Sequence, residues 1–230
     1  MRRTGQTLIF DADDTLWENN VFFERVIDDF LDWAVHPTLD RVQIRQILND
    51  IERANAVSHG YGSAVFLRNL HETFERLQER PASPVEKERI DRLAGRLVRG
   101  EVELIPGVAD TLAELGARHE LYLLTKGNVA EQQRKIDASG LGPWFRATHI
   151  VREKDAEVYR RLAVDSGFAV DRTWMIGNSP KSDISPARAA GMNAVFIPHE
   201  HTWVLEHAEL DAADPGVLTL KAFTELADHF

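Results

Sequence analysis

The chain has no cysteine among its 230 residues. That excludes disulfides, a thiolate nucleophile and any cysteine-bound zinc or iron–sulfur centre. Long apolar runs are missing too. Nothing approaches the ~20 residues of a membrane span. The apolar stretch behind Arg2 and Arg3 is too short for a secretory signal, so the cytoplasm is the expected compartment. Positive charge is in deficit, with 27 Lys and Arg against 37 Asp and Glu, a net −10. This balance argues against a broad nucleic-acid surface, so neither a nucleic acid polymer nor a membrane is an expected partner. It does not forbid a small anion, because a local site can reverse the sign. Repeats and low-complexity segments are absent as well. What is present, 43% hydrophobic and 28% charged residues, suffices for a folded globular chain.

Five short aliphatic and aromatic runs read as strands: "TLIF" (7–10), "LYLL" (121–124), "HIV" (149–151), "TWMI" (173–176) and "AVFI" (194–197). Each is apolar on both faces, as strands of a parallel sheet covered on two sides must be. Helical patterns separate the later ones at βα spacing, which predicts a doubly wound, Rossmann-like α/β core. Four amphipathic helical patterns fall between the first two strands: around Phe22–Trp33, Ile44–Ile51, Leu67–Leu77 and Ile90–Leu97. The fourth opens on Ser83, Pro84 and Glu86, a capping box with proline in the first turn. A crossover needs one helix, so the excess predicts an inserted helical domain: core 1–17 and 101–230, cap 18–100. "GEVELIPG" (100–107) is the expected return hinge, and the outgoing hinge is expected near Trp17 and Asn20.

Chemistry collects where those strands end. In an open α/β sheet the site lies beyond the carboxyl ends of the strands. The first strand runs straight into Asp11, Asp13 and Asp14. Side chains alternate along extended chain, so Asp11 and Asp13 can share one side. Two carboxylates there suit magnesium, or a nucleophile beside an acid/base; a turn with capping aspartates is the plainer reading. The second strand ends in Thr125, Lys126 and Gly127, and "NVAE" behind it opens a helix whose free N–H groups can face an anion. Lys154 follows the third strand. It is one of six lysines among the 27 basic residues. The fourth strand leads to Gly177, Asn178 and Asp183. Four strand ends in register thus carry an acid pair, a hydroxyl, a lysine and an acid.

This ordered set resembles the haloacid dehalogenase superfamily over residues 7–15 and about 105–200, with the helical insertion in the place of that family's cap. The resemblance implies an α/β core and a magnesium-dependent phosphomonoester hydrolase acting on a small phosphorylated metabolite. Asp11 matches the nucleophile that forms an aspartyl-phosphate, and Asp13 the general acid/base. Thr125 matches the hydroxyl that binds the phosphoryl group, with Lys126 and Gly127 beside it, and Lys154 matches the third-motif lysine. "GNSPKSD" matches the acidic motif of the magnesium site, so Mg²⁺ is expected on Asp11, Asp13 (through its backbone carbonyl), Asn178 and Asp183. Asn178 stands where the family usually has Asp, and either it or Asp183 makes the direct bond. The retained Asp13 favours a phosphatase over a dehalogenase. The same motifs also suit a phosphomutase, or a degenerate, non-catalytic member that only binds phosphate or a partner. The chain is expected to be a monomer or homodimer.

Two weaker signals lie outside these motifs. "HGYG" (59–62) sets His59 and Tyr61 between two glycines of the cap, and both are expected to contact the substrate; a plain interhelical turn fits the same residues equally well. His199, His201 and His207 invite a zinc site, but the sequence supplies no acidic partner at ligand spacing.

Overall fold

Leu8, Ile9 and Phe10 are wholly inaccessible to solvent. Alternation sends Leu8 and Phe10 to one side and Ile9 to the other, which places this short strand in the middle of a sheet covered on both faces. The computed structural model describes residues 2–95, 97 and 102–230. Its strands are β1 (Thr7–Phe10), β2 (Glu120–Lys126), β3 (Ala147–Val151), β4 (Thr173–Gly177), β5 (Asn193–Phe196) and β6 (Val217–Thr219). They form one parallel sheet in the order β3-β2-β1-β4-β5-β6. Phe10 pairs with Leu123 on one side and Ile176 on the other. The chain moves outward from β1 through β2 and β3, then returns to β4 across β1. The order therefore reverses between β1 and β4, the kind of switch point beyond whose carboxyl ends open α/β sheets bind their ligands.

The chain divides into two compact units, Met1–Asn20 with Val102–Phe230, and Val21–Glu101. The second is helical: α1 (Asn20–Trp33, which starts in the first unit), α2 (Arg41–His59), α3 (Ser63–Gln78) and α4 (Pro84–Ala94). Its core joins Phe30, Leu48, Leu70 and Ile90, with Trp33 stacked on Phe74 at 4.7 Å. Asp40 and Ser83 close capping boxes at the starts of α2 and α4.

In the first unit, α5 (Val108–Gly116) packs Val108, Leu112 and Leu115 with Leu8 and Phe10. The other helices are α6 (Val129–Ser139), α7 (Ala156–Ser166), α8 (Ser185–Ala189) and α9 (Leu226–His229). On the opposite face Tyr159, Leu162, Ala187 and Met192 join Ile9, Leu124 and Met175. Full burial of each such aliphatic side chain contributes ~1.5–3 kcal/mol, and Tyr159 gives its buried hydroxyl proton to Ser182 O at 2.9 Å. The outgoing and returning segments run side by side: Glu18 N–H donates to Glu103 O at 2.8 Å and Ile105 N–H to Leu16 O at 3.0 Å. Trp17, placed by sequence in a hinge, is buried in the core beside them. Gly100 and Glu101 of the expected return hinge lie outside the described residues. No helix among the described residues is long and apolar enough to cross a membrane.

Candidate active site

The ladder continues one residue past β1, because Asp11 N–H donates to Ile176 O at 2.9 Å. The chain then turns, with Ala12 O accepting from Thr15 and Leu16 N–H. This leaves the Asp11 carboxylate buried above the switch point. Its Oδ1 accepts from Lys154 Nζ at 2.5 Å, and its Oδ2 accepts from Thr15 Oγ1 at 3.1 Å. Lys154 precedes α7, whose N-cap Asp155 accepts Val158 N–H at 2.8 Å and anchors the approach. The same ammonium donates to Asp183 Oδ1 at 2.8 Å. Asp183 sits in a π-turn (Pro180–Ile184), and its Oδ2 accepts Ser179 N–H at 3.0 Å. Gly177 makes room for it: a Cβ there would lie 2.2 Å from Asp183 Oδ2.

One buried lysine thus serves two buried carboxylates, leaving an excess negative charge. Burial, then the charge of Asp183, raises Asp11 to about 7, while Lys154 pulls the other way. Burial alone would depress Lys154, but Asp11 and Asp183 outweigh it and push the ammonium up.

Asn178 completes this corner. Its Oδ1 lies 3.3 Å from Thr15 Oγ1, the hydroxyl that also faces Asp11 Oδ2. A hydroxyl has one proton, so two oxygen acceptors share a single donor. Underserved hard oxygens beside an uncompensated carboxylate fit a magnesium ion. Both oxygens of Asp183 are already engaged, by Lys154 and Ser179. Those of Asp11 are engaged too, by Lys154 and Thr15, so Asp11, Asn178 and Asp183 are the side chains that could hold the ion.

Asp13 turns to other partners. Lys135 Nζ, from α6, reaches both its oxygens at 3.0 Å; Gln132 Nε2 donates to Oδ2 at 2.9 Å and Trp17 Nε1 to Oδ1 at 2.7 Å. Burial would raise its pKa, but Lys135, helped by Gln132 and Trp17, holds it below the usual carboxylate value. Asp14 has φ +60° and accepts Asn19 and Asn20 N–H, both at 2.9 Å. Burial raises it to about 7. Beside it the structure supplies the acidic partners that sequence could not find for the histidines. Asp14, Glu18 and His199 offer ligand atoms within 4.8 Å of one another, a group that includes neither His201 nor His207. Protein groups engage them: His199 Nε2 meets Glu18 Oε2 at 3.2 Å, and its Nδ1 accepts His201 N–H at 3.3 Å.

Thr125 is buried near the end of β2, and Gly127 follows at φ +142°. Lys126, expected at the substrate, donates to Glu206 Oε1 at 2.6 Å, Ser182 Oγ at 2.8 Å and Glu153 Oε1 at 3.2 Å. Lys126 thereby ties the end of β2 to the segments that carry Glu153, Ser182 and Glu206. Glu206 Oε2 also accepts from Ser179 Oγ and Ser182 Oγ, each at 2.5 Å. His59 ends α2 and Tyr61 lies in the turn before α3, where Gly60 and Gly62 take φ of 79° and 121°. They belong to the helical unit, whereas Asp11, Asp13, Thr125, Lys154, Asn178 and Asp183 all belong to the α/β unit. Sequence reasoning missed Thr15, Gln132, Lys135 and Glu206. Gln132 and Lys135 share a helix face at i,i+3 spacing, but nothing local says that this face looks at Asp13.

The chain is 30% identical over 106 residues to the pyrimidine 5'-nucleotidase PynA of Streptococcus pneumoniae, covering 43% of this chain and 45% of that protein. It thus spans less than half the length of the first curated relatives it matches. It is 25% identical over 202 residues to the pyrimidine 5'-nucleotidase YjjG of Escherichia coli, covering 84% and 86% of the two chains. Among solved structures it is similar to a haloacid dehalogenase-like family hydrolase from Xanthomonas campestris, at a TM-score of 0.84 and 27% identity over 98% of this chain and 94% of that one. The family model of haloacid dehalogenase-like hydrolases matches residues 6–191, strand ends and insertion included, and the chain belongs to that family.

Proposed function

We propose that this hydrolase is a magnesium-dependent phosphomonoesterase that takes the phosphoryl group of a small metabolite onto Asp11. The observation that carries the reading is the buried Asp11 carboxylate, shared between Lys154 and the Thr15–Asn178 corner, at the sheet's switch point. Magnesium held among Asp11, Asn178 and Asp183 supplies positive charge that offsets repulsion between a carboxylate and a phosphate dianion. The chain's own groups do the rest. Lys154 holds Asp11 in place and, at the same point, adds a fixed positive charge where charge accumulates during in-line attack. The Asp11–phosphorus bond forms as the ester P–O bond breaks, and the leaving alkoxide takes the proton of the protonated fraction of Asp13, which is left as the carboxylate. Thr125 and the N–H groups around Gly127 are the neutral donors assigned to the phosphoryl oxygens. Water then attacks the phosphorus, giving its proton to Asp13, and phosphate leaves with Asp11 restored. Asp13 is held ionised by Lys135, Gln132 and Trp17, which is the form this second step uses.

Two nucleotidases among the relatives, one matched over most of its length, support a phosphorylated nucleoside as the first substrate class to try. The test is turnover of p-nitrophenyl phosphate with and without magnesium. Wild type should be active only with the metal, and folded Asp11→Asn should lose all detectable turnover. Substantial activity in the pure Asp11→Asn chain would overturn the covalent route.

A further inference from the structure

Resting on the magnesium reading above, we infer that Thr202 makes Asn178 a usable metal ligand by fixing which way round its amide sits. A carboxylate offers oxygen on both arms, whereas an amide offers oxygen on one and two N–H hydrogens on the other. Where an amide replaces the customary aspartate, half of its rotations would present hydrogens to a cation. Something must select the productive one. Asn178 Nδ2 donates to Thr202 Oγ1 at 3.1 Å. Thr202 Oγ1 in turn donates its only hydrogen to His199 O at 3.0 Å. With that hydrogen committed, the hydroxyl faces Asn178 with lone pairs alone, which accept an N–H and repel a carbonyl oxygen.

The polarity therefore runs one way, from Asn178 N–H to Thr202 O–H to the His199 carbonyl. It turns Asn178 Oδ1 toward Thr15 Oγ1 and the Asp11 side. Asn178 is 6% exposed, so water is poorly placed to substitute for the threonine. The loop that carries Thr202 is itself pinned. Thr202 N–H donates to His199 O at 3.1 Å, and Asn20 Nδ2 donates to His201 O at 2.6 Å. Thr202 acts through Asn178, so it is a positioning residue.

The experiment measures Mg²⁺ affinity by titration calorimetry on wild type, Thr202→Val, Thr202→Ala, Thr202→Ser, Asn178→Asp and Asn178→Asp/Thr202→Val, each checked for folding by circular dichroism. Loss of the hydroxyl should weaken Mg²⁺ binding on the order of 10-fold, while serine, which keeps the hydroxyl, should bind like wild type. In the Asn178→Asp background the same Thr202→Val change should cost no more than about 2-fold, because a carboxylate has no wrong way round. Wild-type affinity in folded Thr202→Val and Thr202→Ala would overturn the inference. So would an equal loss in the Asn178→Asp background, or failure of both truncated variants to fold, since either makes Thr202 a general support of its loop. A wild type that binds no Mg²⁺ would overturn the magnesium reading itself, and is distinguishable from one that binds but ignores Thr202.

Discussion

At Asp11, burial and the neighbouring Asp183 work against the Lys154 ammonium, and the balance leaves an acid near pH 7. Its folded value lies above the unfolded 3.8, so protonated Asp11 favours the folded state, and that contribution fades as pH rises from about 4 to about 7. Without metal, Asp11→Asn should therefore be more stable than wild type at pH 8, by about 1–2 kcal/mol, with the gap closing toward pH 4. Urea unfolding in the presence of a chelator measures it. A wild type more stable than the variant at pH 8 would mean that the Lys154 pair outweighs burial. Asp13 makes a second residue-scale case. Asp13→Asn removes the proton carrier while sparing the backbone. Activity should fall most for alkyl phosphates, whose leaving alkoxide needs a proton, and least for p-nitrophenyl phosphate. Equal losses on both would mark a structural role.

Among the elements, β1 was legible to the residue, because three consecutive apolar residues give way to acids. β2 runs on through Thr125 and Lys126, past the apolar "LYLL", since backbone pairing with Ile150 and Val151 tolerates polar side chains. β6 is three residues long and carries too little pattern to read. The site was legible where topology gathers strand ends, and not where distant side chains meet. Lys126 neighbours Thr125 in sequence, but alternation along a strand sends the two to opposite sides. Its partner Glu206 is 80 residues away. Glu206 links β2 to the loop after β4, and its pKa follows from that position: burial would raise it, but Lys126 and the two serines hold it below 4.5. Its stabilisation is thus present above pH 4.5 and lost as pH falls below it. Glu206→Gln should lower stability by about 1–3 kcal/mol at pH 7 and flatten the decline in stability below pH 4.5. Unfolding midpoints across pH 3–7 check this, and an unchanged acid slope would deny Glu206 the role of tie.

Over the whole molecule, each of the two units closes over apolar clusters of its own. In the helical unit Phe30, Leu48, Leu70 and Ile90 are buried together, and in the α/β unit Leu8, Phe10, Leu123 and Ile176 are. A cavity in one cluster removes packing that the other does not share. Leu70 is fully buried on α3, so Leu70→Ala should cost the helical unit about 2–5 kcal/mol, the sum of lost transfer energy and the cavity left behind. Opening of a chain with two such units should then be local, with separate free energies for each. Hydrogen exchange resolved by segment tests this directly. In Leu70→Ala, amides of α2, α3 and α4 should exchange faster by about 30-fold or more, on the order expected for 2 kcal/mol or above. Amides of β1, β2 and β4 should keep their wild-type protection. Equal acceleration in both sets would show that the two clusters melt as one, and that the fold's stability is a property of the whole chain.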